Sequence, residues 1–138
     1  MLYFLDTDIC SYLIKEKPKD VLVTLESKIS AGHSIGISAI TYSELRFGAE
    51  RSVHPKKYHL LIDALIERLH QVLPWDQQAA DQFAKINGHL YKKGTPIGNN
   101  DAMIAAHAIT TEAVLVTNNK KHFARVKELM IENWVKIK

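Results

Sequence analysis

Leu2-Tyr3-Phe4-Leu5 is an unbroken apolar run that Asp6 cuts off. A strand with one wet face alternates apolar and polar residues; a run without alternation needs cover on both faces, as parallel strands in α/β folds have. Further short strand signals recur at Ser34-Ile35-Gly36-Ile37, Val72-Leu73, Ala113-Val114-Leu115-Val116 and Trp134–Ile137. Helical patterns fill the gaps, over Ile9–Lys15, Asp20–Ala31, Thr41–Arg51, Pro55–His70, Asp76–Lys93, Asn100–Thr111 and Phe123–Leu129. Gly32 ends the second of these, and Gly94 with Pro96 ends the fifth. Such alternation predicts an α/β fold, with a mainly parallel central sheet flanked by helices and one domain over residues 1–138.

Composition narrows the class. With 138 residues, 46% of them hydrophobic and 24% charged, the chain can bury a core and is not a disordered one. Its one cysteine, Cys10, excludes an intrachain disulfide and fits a reducing compartment. The opening apolar run lacks a basic flank and is too short for a signal peptide or a membrane span, which predicts a cytoplasmic protein with no membrane partner. Net charge is +3, a weak pointer to nucleic acid, but the cations cluster at Lys56-Lys57, Lys92-Lys93, Lys120-Lys121, Arg125 and Lys127. Each pair taken singly reads as a solvated helix end.

Ligands and catalysts in open parallel sheets collect beyond the carboxyl ends of the strands. Asp6 ends the first strand; as a structural residue it is a turn or helix cap. Asp8 reads as the cap of the first helix. Glu44 lies in Thr41-Tyr42-Ser43-Glu44, which matches a capping box, and the same helix start follows the second strand. Asp101 opens the Ala-rich helix, where a carboxylate favours the helix dipole. Thr117-Asn118-Asn119 bring polar groups to the same edge after a later strand.

Each acid has a structural explanation alone, yet three from separate segments share one edge. Converging carboxylates repel, and a cation relieves them. Oxygen donors without a Cys/His pair at metal spacing suit Mg²⁺ or Mn²⁺ rather than zinc. A metal so held can activate water and steady a phosphoryl charge, which points to metal-dependent phosphodiester hydrolysis.

The stretches LDTDIC, ITYSELRFGAERS, PIGNNDAMIAAHA and LVTNNKKHFARV, in that order from Leu2 to about Val126, resemble the PIN-domain ribonucleases, and most closely their VapC toxin branch. The resemblance implies an α/β/α sandwich, often dimeric, acting as an Mg²⁺- or Mn²⁺-dependent endoribonuclease on structured RNA, including initiator tRNA. It also implies silencing by a cognate VapB antitoxin in a hetero-oligomer. Carried over by position, Asp6, Glu44 and Asp101 become the conserved acids: Asp6 and Asp101 as direct metal ligands, Glu44 as a ligand through water or a base. Thr7, Asn99, Thr117, Asn118 and Asn119 are supporting residues. Arg46, Arg51, Lys92, Lys93, Lys120 and Lys121 are candidates for contact with RNA or antitoxin.

The chain departs from the family where many members carry a fourth acid: those places hold Asn118, Asn119 and His122. Two other readings fit parts of the sequence. A PIN fold without that acid can bind RNA or protein without cutting. Asp6-Thr7-Asp8 after a strand also matches the D-x-D motif of haloacid-dehalogenase-like phosphatases, although the later acidic pair of that family is Asn118-Asn119 here. His107, His122, Trp75 and Trp134 read as packing or surface residues.

Overall fold

The computed structural model describes residues 1–69 and 71–136. Its strands are β1 (Leu2–Leu5), β2 (Ser34–Ser38), β3 (Val72–Leu73), β4 (Val114–Val116) and β5 (Met130–Glu132). The helices are α1 (Thr7–Lys15), α2 (Lys19–Ser30), α3 (Ala39–Arg51), α4 (Pro55–Leu69), α5 (Gln77–Lys92), α6 (Asn99–Thr110) and the short α7 (Lys120–Phe123). All pairings are parallel in the order β3-β2-β1-β4-β5, so the first strand lies in the middle. Its residue Tyr3 registers with Ile35 on one side and Val114 on the other.

The unbroken apolar run of β1 has the cover it requires. Tyr3 and Leu5 face one core with Ile9, Leu13, Val21, Leu25, Leu45, Ile62 and Leu65 from α1–α4. Phe4 faces the other, with Ile86 and Leu90 of α5, the Ala-rich face of α6, and Phe123. Alternation across one strand thus separates the two helical layers of an α/β/α sandwich. Leu73 packs closely over Gly36 of β2: a Cβ there would stand 3.0 Å from Leu73 Cδ1 and 3.2 Å from Gln71 Cβ, so both would have to shift for a larger residue.

The predicted strand at Trp134–Ile137 is displaced. The edge strand is Met130–Glu132, which pairs with β4. Asn133 ends it, because its side-chain oxygen accepts from Val135 N at 2.9 Å, an Asx turn that competes with the ladder. Trp134 folds back beside Tyr3, their rings 5.8 Å apart, so its apolar character reflects burial and not pairing. Ile137 lies outside the described residues, as does His70 at the end of the expected Pro55–His70 helix. The final helix is Lys120–Phe123 in place of Phe123–Leu129. No helix among the described residues is long and apolar enough to cross a membrane.

Candidate active site

β1 delivers Asp6 past the carboxyl edge of the sheet, and the ladder continues one step further: Asp6 N donates to Val116 O at 3.0 Å. Its carboxylate then caps α1, with Oδ1 accepting from Ile9 N at 2.9 Å. Asp6 is 6% exposed. Burial pushes its pKa up to about 6 against a hydrogen bond from the Thr117 hydroxyl and the Ile9 amide, and the charges of Asp8 and Asp101 push the same way. The cap of α1 is therefore Asp6, and Asp8 is an exposed first-turn residue whose charge reaches both aspartates.

Glu44 is not a capping-box residue. Ser38 caps α3, its Oγ accepting from Ile40 N at 3.1 Å, so the helix starts two residues before Thr41 and Glu44 falls in its second turn. Glu44 is thereby free of the backbone. Its two oxygens take separate partners: the Thr7 hydroxyl donates to Oε1, and Asn100 Nδ2 donates to Oε2 at 2.9 Å. Thr7 of α1, Glu44 of α3 and Asn100 of α6 thus close a three-helix junction beside Asp6.

Asp101 enters from the first turn of α6. Gly98 precedes that helix at φ +96°, a conformation that side chains rarely adopt and that sets the entry of Asn99-Asn100-Asp101. Burial raises the Asp101 pKa, against the neighbouring His122, with Glu44 and Asp8 adding repulsion. His122 Nε2 lies 3.0 Å from Asp101 Oδ2 and 2.8 Å from Ile97 O. Both partners accept, so Nε2 carries the proton.

Thr117, Asn118 and Asn119 stand at this edge as expected. Buried Thr117 accepts from Asn119 N at 2.9 Å. Asn118 donates to Tyr12 Oη at 3.4 Å and accepts from Asn133 Nδ2 at 3.1 Å. Asn99 turns elsewhere, accepting from Asn87 Nδ2 at 3.2 Å; its neighbour Asn100 is the amide on Glu44. The sequence reading put Asn99 at the site; successive helix residues point about 100° apart, and the structure gives that place to Asn100.

The structure sets Arg46 apart from a free RNA-binding cation. Nε donates to Tyr42 Oη at 3.0 Å, Nη1 to His59 O at 3.2 Å and to His59 Nδ1 at 2.9 Å, and Nη2 to Asp63. The guanidinium clamps α3 to α4. Arg51 lies over the Phe47 ring at 5.4 Å. Lys92, Lys93, Lys120 and Lys121 are exposed and, among the described residues, enter no ion pair. Sequence reasoning missed His122 and Asn100; the signal available was their position, Asn100 beside Asp101 and His122 one turn into the segment after β4.

His107 is a packing residue, as read. It is 2% exposed, with Nδ1 2.8 Å from Ser38 Oγ and its ring edge-on to Phe4. Ser38 Oγ already accepts from Ile40 N, so its hydroxyl donates to Nδ1. Burial holds the His107 pKa below 6.5.

Among the described residues, no three Asp, Glu, His or Cys side chains close into a ligand set. The acids form instead a loose constellation, each steadied by hydrogen-bond donors. A groove of about 790 Å³ leads away from Thr7 and Glu44 between α1, α3 and α4, past Ile14, Leu45 and Tyr58.

The PIN domain family model matches residues 3–129. Ribonuclease VapC2 of Rickettsia felis is 37% identical over 136 residues, 99% of this chain and 100% of its own length. The tRNA(fMet)-specific endonuclease VapC of Salmonella typhimurium is 39% identical over 132 residues, 96% of this chain and 97% of its own. Among solved structures, the crystal structure of VapBC2 from Rickettsia felis bound to a DNA fragment from their promoter superposes with a TM-score of 0.92 at 36% identity, covering 98% of this chain and 100% of that one. The chain therefore belongs to the PIN domain family, among the VapC proteins.

Proposed function

We propose that the chain is the toxin of a type II toxin–antitoxin pair: an endoribonuclease that hydrolyses phosphodiester bonds in structured RNA with Mg²⁺ or Mn²⁺ and is inhibited by a VapB-type antitoxin. The observation that carries this reading is the convergence of Asp6, Glu44 and Asp101 at one sheet edge, with Asp6 and Asp101 both raised by desolvation and by neighbouring carboxylates. Carboxylates crowded together and partly withdrawn from water are the groups a hard cation stabilises, and the oxygen-rich donor set suits Mg²⁺. The relatives named as ribonucleases, and the tRNA(fMet)-specific one in particular, support RNA as substrate and initiator tRNA as the first target to test. Neighbouring VapBC structures support the antitoxin and the hetero-oligomer; a toxin homodimer and a cytoplasmic site of action go with that reading.

Asp6 and Asp101 would hold the metal, which when bound activates water and steadies charge on the phosphoryl group. Glu44 orients the attacking water and accepts its proton, and the Thr7 and Asn100 hydrogen bonds fix the carboxylate for that task. His122 holds Asp101 in place through its Nε2 hydrogen bond. Thr117, buried, steadies the Asp6 carboxylate with its hydroxyl, and exposed Asn118 lies on the polar rim of the site.

The test uses protein freed of antitoxin. It should cleave RNA with Mg²⁺, stop with EDTA, and lose cleavage in Asp6→Ala while retaining its circular dichroism spectrum. Cleavage that persists in Asp6→Ala overturns the metal assignment.

A further inference from the structure

An acidic edge that takes a polyanion needs positive charge nearby, because Asp6, Asp8, Glu44 and Asp101 together repel phosphate. Arg46 is committed inside the fold, so the charge must come from elsewhere. The structure offers a groove of about 330 Å³ between α5 and residues 124–129, floored by Leu90 and walled by Lys85, His89, Arg125 and Lys127 with Glu128 as its one acid. Lys85, His89, Arg125 and Lys127 are exposed and, among the described residues, none is in an ion pair. Spacing at i, i+4 and i+7 puts Lys85, His89 and Lys92 on one face of α5, so a stripe with a lysine at each end runs toward the turn at Gly94.

That turn links the groove to the acids. Arg125 Nη1 donates to Pro96 O at 3.1 Å, and the next carbonyl, that of Ile97, accepts from His122, which also holds Asp101. One short loop therefore carries the groove on one side and the acid site on the other. Unpaired cations along a groove, contiguous with the edge where the backbone is cut, match an RNA phosphate chain better than a protein segment, which would bring few regularly spaced anions.

We propose that this α5 groove is a docking site for the RNA backbone outside the scissile bond, held by Lys85, Arg125 and Lys127. The proposal rests on the reading of the acid edge as an RNA-cleaving centre. Lys85 and Lys127 make no internal hydrogen bond among the described residues, so their removal leaves the fold intact.

The experiment compares wild type, Lys85→Ala/Lys127→Ala, and a charge-matched control, Lys56→Ala/Lys57→Ala, on α4 across the sheet. Binding of a labelled initiator tRNA transcript is measured by anisotropy in EDTA at several salt concentrations, and its cleavage is followed with Mg²⁺. The groove variant should weaken binding roughly tenfold and lower the slope of log Kd against log salt by about two, with kcat unchanged. The control should leave binding and slope near wild type. An unchanged slope in the groove variant, or an equal loss in the control, overturns the proposal. So does a groove variant that keeps RNA binding and loses antitoxin. If no protein cleaves RNA yet the groove variant alone loses binding and slope, the docking site stands and the nuclease reading falls.

Discussion

Replacing Asp6 by Asn should make the protein more stable and inactive at once. Asp6 titrates at about 6 in the fold against 3.8 for a free carboxyl, because burial disfavours its charge. A carboxyl with a raised pKa binds its proton more tightly folded than unfolded. Its stabilising contribution is therefore full below pH 3.8 and is lost as pH rises through 6. At pH 7 the ionised form costs about 3 kcal/mol relative to a neutral group in the same place. Asn is such a group, and its oxygen can still accept from Ile9 N. The Thr117 hydroxyl, which donates to Asp6, must turn away from the new amide if it meets the NH₂ end, returning about 1 kcal/mol. Urea unfolding in EDTA at pH 7 should thus favour Asp6→Asn by about 2 kcal/mol. The advantage should vanish near pH 4, where the wild-type carboxyl is itself neutral. Saturating Mg²⁺ should stabilise the wild type and not the variant. A variant less stable than wild type at pH 7 by an amount that does not change with pH would refute the reasoning, for it would mean that the helix cap outweighs burial.

Glu44→Gln should lower kcat by about a hundredfold or more while its melting temperature stays near wild type, since the amide oxygen still accepts from Thr7, and the exposed Asn100 side chain can turn its own oxygen to the new NH₂, whereas the proton acceptor is gone. Asn100→Ala should cost less, about tenfold in kcat, by freeing one Glu44 oxygen. Gly98→Ala should destabilise by about 1–3 kcal/mol in denaturant titrations, because φ +96° strains any side chain there even though a Cβ meets no neighbour. His107 has a lowered pKa, so its contribution is full above 6.5 and is lost as pH falls below that value. The stability gap between wild type and His107→Gln should shrink as pH falls from 7 to 5, and a gap that is constant with pH would rule out a neutral buried imidazole.

Strand signals were legible wherever apolar runs were central, as in Leu2–Leu5, because burial on both faces leaves no polar residues to blur the pattern. They held at one edge, where Val72-Leu73 is β3, and failed at the other. There Met130–Glu132 is short, half wet and mixed in character, while Trp134 carries its apolar signal for core packing. Helix starts were read one or two residues late at Thr7, Ala39 and Asn99, and that small error changed roles. It made a capping box of Thr41 and Glu44, which the Ser38 cap removes. It assigned Asp8 the capping that Asp6 performs. The acids themselves were legible because each follows a strand or opens a helix at one edge. Their partners Asn100 and His122 were not, since which side of a helix turns toward a distant carboxylate is decided by packing between layers. The commitment of Arg46 to α4 was hidden for the same reason: Tyr42, His59 and Asp63 are near it only in the folded chain.

The middle position of β1 has a consequence for the order of synthesis. The first strand made receives its second neighbour only when β4 emerges, residues 114–116, and the hydrogen bond from Asp6 to Val116 waits for the same event. Glu44 likewise waits for Asn100. A growing chain can assemble α1–α4 on β1 and β2 while every acid of the site but Asp101 is present, yet it cannot hold them in place. A chain that stops short of α6 thus carries Asp6 and Glu44 without Asp101, Asn100 or the Val116 carbonyl that together hold the centre in place.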